Sequence, residues 1–152
     1  MPKRWLSENE ARAFLAAATW GHLATVGPDG PYITPLHHVL DGNTLYFHCG
    51  LKGRKLTNLQ YDSRACYEVS ELLGITPGPT ACQFSTRYRS VQVFGTAKLV
   101  EEPSEKLRAL HLLVERFRGE RELSPVDPRR VAEATIIALQ IERLSGKAQL
   151  PD

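Results

Sequence analysis

Short glycine-containing turns separate three β-strand patterns early in the chain, and this run constrains the fold more than any other feature. The patterns are HLATV, PYITPLHHVL and TLYFHC, and the breaks after the first two are GPDG and DGN. Breaks of this length and composition are typical of β-hairpins, because Gly and Asn accept the positive φ angles of tight turns. We therefore expect three antiparallel strands in a meander.

Three more strand patterns follow, RACYEVS, RYRSVQVFGTAKLV and ATIIALQIERL, and Gly95 in the second of them favours a bend or bulge. Gly and Pro interrupt ELLGITPGPT, for which we expect an irregular loop. A row of strands has exposed edges unless the sheet closes on itself. We predict a mainly β protein, a small β-barrel with appended helices, in a single domain over residues 1–152; an open α+β sheet is the alternative.

Helical patterns flank these strands. Ser7 and Glu10 have the spacing of a capping box, in which each side chain accepts a backbone N–H of the first turn. Apolar residues recur at helical spacing over residues 103–117 and predict a helix that packs on the core. Asp127 followed by Pro128 is typical of the start of a short helix.

Charge and cysteine content exclude several classes of protein. Nineteen Lys and Arg against seventeen Asp and Glu give a formal charge of +2, too small for a general attraction to nucleic acid or anionic lipid. Three cysteines without C-x-x-C spacing argue against a disulfide framework or a closed zinc site. No run approaches the roughly 18 apolar residues of a membrane span. We expect a cytoplasmic protein that binds neither nucleic acid nor membranes.

The stretch YFHCGLKGRKLTNL places cations at the start of a predicted helix. Gly50 and Gly53 permit close approach of the backbone to a ligand, and Lys52, Arg54 and Lys55 supply positive charge. Free N–H groups and the helix dipole attract an anion to the same place. The alternative is a solvated helix start. Neither a P-loop nor a Rossmann glycine motif is present, so we expect neither of these nucleotide sites.

The order of these segments resembles a known family. From about Gly21 to Phe117, the succession GHLATV, PYITPLHHVLDGNTLYFHCGLKGRKLTNLQYDSRACYEV and YRSVQVFGTAKLVEEPSEKLRAL is similar to the pyridoxamine 5'-phosphate oxidase-related, FMN-binding split-barrel family. Its Nim-type branch, the 5-nitroimidazole resistance proteins, is the closest match. The resemblance implies an FMN-binding split barrel that forms a homodimer with FMN at the dimer interface.

The resemblance also implies which residues bind the cofactor. Arg54 and Lys55 match positions that hold the FMN phosphate, with Lys52 and Gly53 nearby. The other implied contacts are His48 and Cys49 beside the phosphate and ribityl chain, Thr34, Pro35, Leu36 and His37 along the isoalloxazine ring, and Arg89 and Ser90, which match an Arg-Gln pair of the oxidase. The serine is shorter than that glutamine, which reaches the flavin.

His37 and His38 are the candidate catalytic residues. Neighbouring residues on a strand point to opposite faces, so at most one of the two faces the site. The alternative is one solvent-facing histidine and one hydrogen-bonded structural histidine. His22, His48 and Cys49 could add metal ligands, but the spacing is irregular and no carboxylate completes a set, so we predict no metal site.

The resemblance predicts a flavin-dependent oxidoreductase. We expect a flavin that carries the redox chemistry, a small acceptor such as a nitroaromatic, and NAD(P)H as a transient donor. The oxidase's substrate-binding residues have no match in IERLSGKAQLPD, so we do not expect pyridoxamine phosphate oxidation. A non-catalytic flavin or haem carrier is the alternative, and related barrels also bind deazaflavins.

Overall fold

The structure is a computed structural model, and it describes residues 3–150. These residues form eight strands, three α-helices and two short 3-10 turns. In chain order they are β1 (Arg4–Trp5), α1 (Glu8–Ala17), β2 (Gly21–Gly27), β3 (Gly30–Leu36), β4 (Val39–Asp41), β5 (Thr44–Cys49), α2 (Arg54–Tyr61), β6 (Arg64–Thr76), a 3-10 turn (Ala81–Gln83), β7 (Ser85–Leu99), α3 (Pro103–Phe117), a second 3-10 turn (Pro128–Glu133) and β8 (Thr135–Gln149).

The strands form one antiparallel sheet that is rolled into a barrel. Its order is β3-β2-β6-β7-β8-β5-β4, with β1 on β8. The first and last strands of this order, β3 and β4, are joined by His37 and His38 alone. Three Cα–Cα steps from Leu36 to Val39 span at most roughly 11 Å, so the end of β3 lies close to the start of β4, and the two ends of the sheet order meet there. We call the gap between β3 and β4 the seam.

The predicted β-barrel with appended helices is confirmed, and both predicted hairpins are present, β2–β3 and β4–β5, but they do not form one three-stranded meander. β2 pairs with β3 on one side and with β6 on the other, and β3 does not pair with the strand that follows it. The segment PYITPLHHVL is two strands, separated at His37 and His38. Pro31 and Pro35 lack an N–H, which suits the unpaired edge of β3 at the seam.

The predicted loop ELLGITPGPT is largely a strand. β6 continues through Thr76, with a register shift between Leu72 and Gly74. Gly74 has a φ of 151°, which few other residues adopt, and this lets the ladder continue past the bulge. The predicted irregularity at Gly95 in β7 is confirmed, because the pairing of β7 with β8 also shifts register between Phe94 and Gly95.

The predicted helix starts are confirmed. The Ser7 N–H donates to Glu10 Oε2 at 2.8 Å and the Glu10 N–H donates to Ser7 Oγ at 3.3 Å, which completes the capping box. At the second 3-10 turn, Asp127 Oδ1 accepts the N–H of Arg129 at 2.9 Å. The third helix begins at Pro103 as predicted. Within residues 3–150, no helix is long and apolar enough to cross a membrane.

The core has two parts. The barrel interior is filled by fully buried side chains, among them Leu23, Leu45, Phe47, Tyr67, Val69, Val91, Val93, Ile137 and Leu139. Leu15 of α1 and Leu59 of α2 join this interior cluster. Outside the barrel, α3 packs Leu113 against Tyr46 and Ile136 on the outer face of β5 and β8. The outer cluster therefore fixes α3 beside the end of β5.

Candidate functional site

The first turn of α2 is an uncapped helix start with two cations in it. Gly53 is the N-cap residue, with φ 144° and ψ 162°, and no side chain of residues 3–150 caps the turn. Its carbonyl accepts the N–H groups of Leu56 and Thr57. Arg54 and Lys55 are the first two helical residues, and N–H groups at this position have no partner within a helix. Such N–H groups, together with the positive end of the helix dipole, bind anions.

The cations at this helix start have no acidic partner among the described residues. Lys52, Arg54 and Lys55 form no ion pair there, whereas the cations that do include Arg4, Arg12, Arg64, Arg89 and Arg108. The Arg54 guanidinium lies 5.2 Å from the centre of the Tyr32 ring, a cation–π contact that orients it. An anion that enters this place would therefore meet charge that no carboxylate of residues 3–150 neutralises.

Tyr32 is a site residue that the sequence analysis missed. It lies two positions before Thr34 on β3, and alternate residues of a strand share a face. That spacing was the available signal. The stacking of Arg54 on the ring became visible only when α2 was placed against β3.

Thr34 has a buried hydroxyl without a hydrogen-bond partner among the described residues. It pairs in register with Leu23, a fully buried residue of the barrel core, so it points to the same interior face. An unsatisfied buried polar group costs about 1–3 kcal/mol. The hydroxyl therefore retains an unused hydrogen-bonding capacity among the described residues.

Cys49, at the end of β5, is half-buried and packs against the barrel core. Burial raises the pKa of its thiol, and the nearby charge of Lys55 opposes that rise. This electrostatic contact places Cys49 close to the start of α2. We use the term α2 site for Tyr32, Thr34, Cys49 and residues 52–55.

Two other predicted contacts follow Thr34 on β3 and differ in exposure. Leu36 is half-buried against the barrel core at the end of β3. Pro35 points to the outer face and is exposed.

His37 and His48 lie on the outer face, beside α3. They line a pocket of about 360 Å³ together with Leu110, Leu113, Val114, Phe117, Arg118, Arg121 and Leu123. The His37 ring packs edge-on against Phe117, with ring centres 4.9 Å apart. We call this the α3 pocket. Its two imidazoles and two guanidiniums surround an apolar floor. In residues 3–150, no three His, Cys, Asp or Glu side chains are grouped to hold a metal ion.

His38 is part of the core and does not reach a ligand site. It has no exposed surface, its Nδ1 lies 2.9 Å from Tyr67 Oη, and its Nε2 lies 2.8 Å from the Leu15 carbonyl oxygen. Burial lowers the pKa of its ring to about 4, so the ring is neutral at pH 7. His38 is the structural histidine of the alternative prediction, and its proposed catalytic role is corrected on this ground.

Arg89 and Ser90 lie far from the α2 site within one chain. Arg89 forms an ion pair with Glu71, and its guanidinium stacks 4.8 Å from the Phe14 ring centre, in a groove of about 660 Å³ beside α1. Ala97, which packs with α2, is eight residues further along β7, or roughly 26 Å at the rise of a strand. Ser90 is the neighbour of Arg89 on the opposite face of β7. A single chain therefore does not bring all the predicted contacts together.

The chain belongs to the pyridoxamine 5'-phosphate oxidase family, whose sequence profile matches residues 7–148. This confirms the family inferred from the order of the motifs. A comparison with curated proteins finds no match.

Several solved structures share the fold. The flavocytochrome Anf3 from Azotobacter vinelandii superposes with a TM-score of 0.85 at 26% identity, over 98% of this chain and 70% of that one. The FAD and haem binding protein from Mycobacterium smegmatis gives 0.82 at 22% identity, over 100% and 76%. A candidate 5-nitroimidazole antibiotic resistance protein from Bacteroides thetaiotaomicron VPI-5482 gives 0.78 at 21% identity, over 96% and 87%. The predicted split-barrel fold is thereby confirmed.

Proposed function

We propose that this protein binds a flavin, specifically FMN, at the α2 site and uses it to reduce a small acceptor such as a nitroaromatic. One observation carries the proposal. The Thr34 hydroxyl, buried and without a partner within residues 3–150, lies on the strand next to a helix start that no described side chain caps and whose cations pair with no described carboxylate. A bound flavin would supply the electron transfer between a donor such as NAD(P)H and the acceptor. Solved neighbours named as flavocytochrome and FAD-binding proteins support a flavin.

Each residue of the α2 site would make a different contact with the flavin. Arg54 and Lys55, with the free N–H groups of the first helical turn, would hold the phosphate, and Lys52 would add charge at the edge. The Thr34 hydroxyl would donate a hydrogen bond to the cofactor. Cys49 would serve as packing, because the raised pKa of its thiol keeps it protonated and poorly nucleophilic at pH 7. A single cluster of cations suits one phosphate monoester, and for this reason we propose FMN before FAD.

We also propose that the protein forms a homodimer. Arg89 lies at the far end of β7 from the α2 site, so its predicted role at the flavin needs a second copy of the chain. The outer face of β2 and β3 offers apolar surface for that contact, because Val26 is 43% and Ile33 62% exposed. Sedimentation velocity at micromolar concentration tests this: Ile33→Glu should give monomers, and Leu123→Glu, at a position elsewhere that is 50% exposed, should not.

The visible spectrum of the purified protein is the first test. After addition of FMN and removal of excess, the wild type should retain flavin bands, and Arg54→Ala/Lys55→Ala should lose them. Charge-assisted hydrogen bonds contribute about 1.5–3 kcal/mol each, so the loss of affinity should be on the order of 100-fold or more. Arg129→Ala/Arg130→Ala removes the same charge at the second 3-10 turn and should bind normally. A wild type that binds neither FMN nor FAD would refute the proposal.

The enzymatic part has its own test. Anaerobic reduction of a nitroaromatic with NADH or NADPH should be faster with the protein than with the same concentration of free FMN. A protein that binds FMN without this acceleration would be a flavin carrier, the alternative function.

A second candidate cofactor is haem, favoured by the α3 pocket. His37 or His48 would ligate the iron, and Arg118 and Arg121 would pair with the propionates above the apolar floor. The neighbours from A. vinelandii and M. smegmatis, a flavocytochrome and an FAD and haem binding protein, support a haem beside a flavin. A Soret band after addition of haemin, shifted in one of the variants His37→Ala and His48→Ala, would identify the ligand. A spectrum identical to free haemin would exclude the site.

A further inference from the structure

The seam of the barrel has no backbone hydrogen-bond ladder. Within residues 3–150, β3 pairs with β2 alone and β4 pairs with β5 alone. An edge strand without a second neighbour can shift or lift away from the sheet. Yet β3 carries Thr34 of the α2 site and Leu36, a predicted cofactor contact, so the position of this strand matters for the proposed flavin.

Side chains join the elements at the seam instead. Tyr67 of β6 donates its hydroxyl hydrogen to the Leu36 carbonyl, with the oxygens 2.8 Å apart, and its Oη also lies 2.9 Å from His38 Nδ1. His38 Nε2 is 2.8 Å from the carbonyl oxygen of Leu15 in α1. Two side chains, Tyr67 and His38, therefore connect four parts of the molecule. These are the last residue of β3, the link to β4, the helix α1 and the strand β6.

A proton count shows how much this arrangement depends on Tyr67. The Leu15 carbonyl can only accept, so Nε2 of His38 carries the proton and, in the neutral ring, Nδ1 is an acceptor. Nδ1 and the Leu36 carbonyl then both face the one hydroxyl hydrogen of Tyr67. Removal of that hydroxyl would leave the buried Nδ1 of His38 without its hydroxyl partner and would break the side-chain bond to the Leu36 carbonyl.

Packing prevents Tyr67 from moving away. Its ring meets Phe47 edge-on, with centres 4.8 Å apart, and meets the His38 ring in the same manner at 5.1 Å. On a third side lies Gly21, where an added Cβ would come within 2.5 Å of Tyr67 Oη. The hydroxyl is thus confined to one position, directly under the end of β3.

We propose that Tyr67 and His38 are positioning residues of the flavin site, which fix the end of β3 and thereby the place where Thr34 and Leu36 meet the cofactor. This inference rests on the proposed function. Neither residue touches the cofactor; both act through the Leu36 carbonyl and the link that follows it.

The experiment compares Tyr67→Phe with Tyr46→Phe. Tyr46 is the matched control, because it is also buried and its hydroxyl also makes a hydrogen bond, to Glu105 Oε1 at 2.9 Å, but on the outer face under α3. We expect the Kd for FMN to rise at least 5-fold in Tyr67→Phe and less than 2-fold in Tyr46→Phe. We also expect the amides of Thr34 and Leu36 to exchange hydrogen at least 10-fold faster in Tyr67→Phe without flavin.

Equal Kd values and equal exchange in the two variants would overturn the inference, since Tyr67 would then be an ordinary core residue. A wild type that binds no flavin would refute the proposed function instead, and the exchange of Thr34 and Leu36 would still decide whether Tyr67 fixes β3. If Tyr67→Phe does not fold, His38→Gln is the second variant, because its amide can still donate to Leu15. Faster exchange at Leu36 is then the expected result, and unchanged exchange would overturn the inference.

Discussion

The seam and the α2 site differ in how completely the protein satisfies its own polar groups. At the seam, His38 and Tyr67 are fully buried and bonded to each other and to backbone carbonyls. At the α2 site, the Thr34 hydroxyl has no partner among the described residues, and there Arg54 contacts the face of Tyr32 and no carboxylate. The seam therefore has the character of fixed structure, whereas the α2 site retains the unpaired polar groups expected of a ligand site.

Charge reversal at the α2 site should produce the largest effect. Arg54→Glu/Lys55→Glu should weaken FMN binding by more than about 1,000-fold, because two charge-assisted contacts become repulsions. The same change should stabilise the flavin-free protein by about 1 kcal/mol, because acidic residues suit a helix N-terminus and cations do not. Isothermal titration and urea unfolding measure the two effects. Lower stability of the free variant would contradict the view that these cations are placed for a ligand.

A larger side chain at the seam should lower the unfolding free energy without changing any charge. Gly21→Ala would bring its Cβ to 2.5 Å from both Tyr67 and the Glu68 carbonyl oxygen, so we expect a loss of about 3 kcal/mol in urea unfolding. Gly50→Ala is the control, because its Cβ would meet nothing nearer than the Lys52 carbonyl at 4.0 Å. If both variants were equally stable, the seam would be far less rigid than the structure shows.

Acid should weaken the seam before it weakens the surface ion pairs. The pKa of His38 falls from an ordinary 6.5 to about 4 in the folded protein, so between these values the unfolded chain binds more protons. Unfolding free energy should therefore fall as pH drops from 6.5 to 4, by up to about 3 kcal/mol. The pKa of Glu10 is lowered to about 2, so its contribution is lost only below its ordinary value of 4.5.

Urea midpoints between pH 7.5 and 4 measure this slope. In His38→Gln it should disappear, and in His111→Gln, at an exposed position on α3, it should persist. Retention of the full slope in His38→Gln would assign it to other groups.

The smallest expected effect distinguishes two threonines. Thr34→Val removes an unpaired buried hydroxyl and should stabilise the free protein by about 1 kcal/mol, while FMN affinity falls 3- to 10-fold. Thr25→Val, on the neighbouring strand, removes the acceptor of the Asn58 amide at 3.1 Å and should destabilise by about 1 kcal/mol with unchanged affinity. Calorimetric unfolding with and without FMN separates these outcomes. A loss of stability in Thr34→Val would mean that its hydroxyl has a partner in solution.

Local chemistry made much of the fold predictable. Three signals involve only near neighbours in the chain: the capping box at Ser7, the proline at Pro103 and the alternation in β7. They can therefore be recognised from the sequence alone. The path of β6 was missed because Gly74 reads as a breaker in isolation, whereas its pairing with Arg87 makes it a bulge within a continuous ladder.

The candidate site was predictable only in part, because only some of its residues are neighbours in the sequence. The cations of residues 52–55 are neighbours in sequence and stay neighbours in space. Tyr32 joins them only because α2 packs across β3, and Arg89 is separated from them by the length of β7.

By itself, the sequence determined most of the strands, the helix starts, the family and the cluster of cations, because each depends on short-range patterns. Only the tertiary structure decided that His37 faces α3 while His38 enters the core, and that the hydroxyl of Thr34 is left unpaired. Burial and hydrogen-bond partners depend on residues far apart in the chain, so they follow from how the barrel closes and not from any short-range pattern.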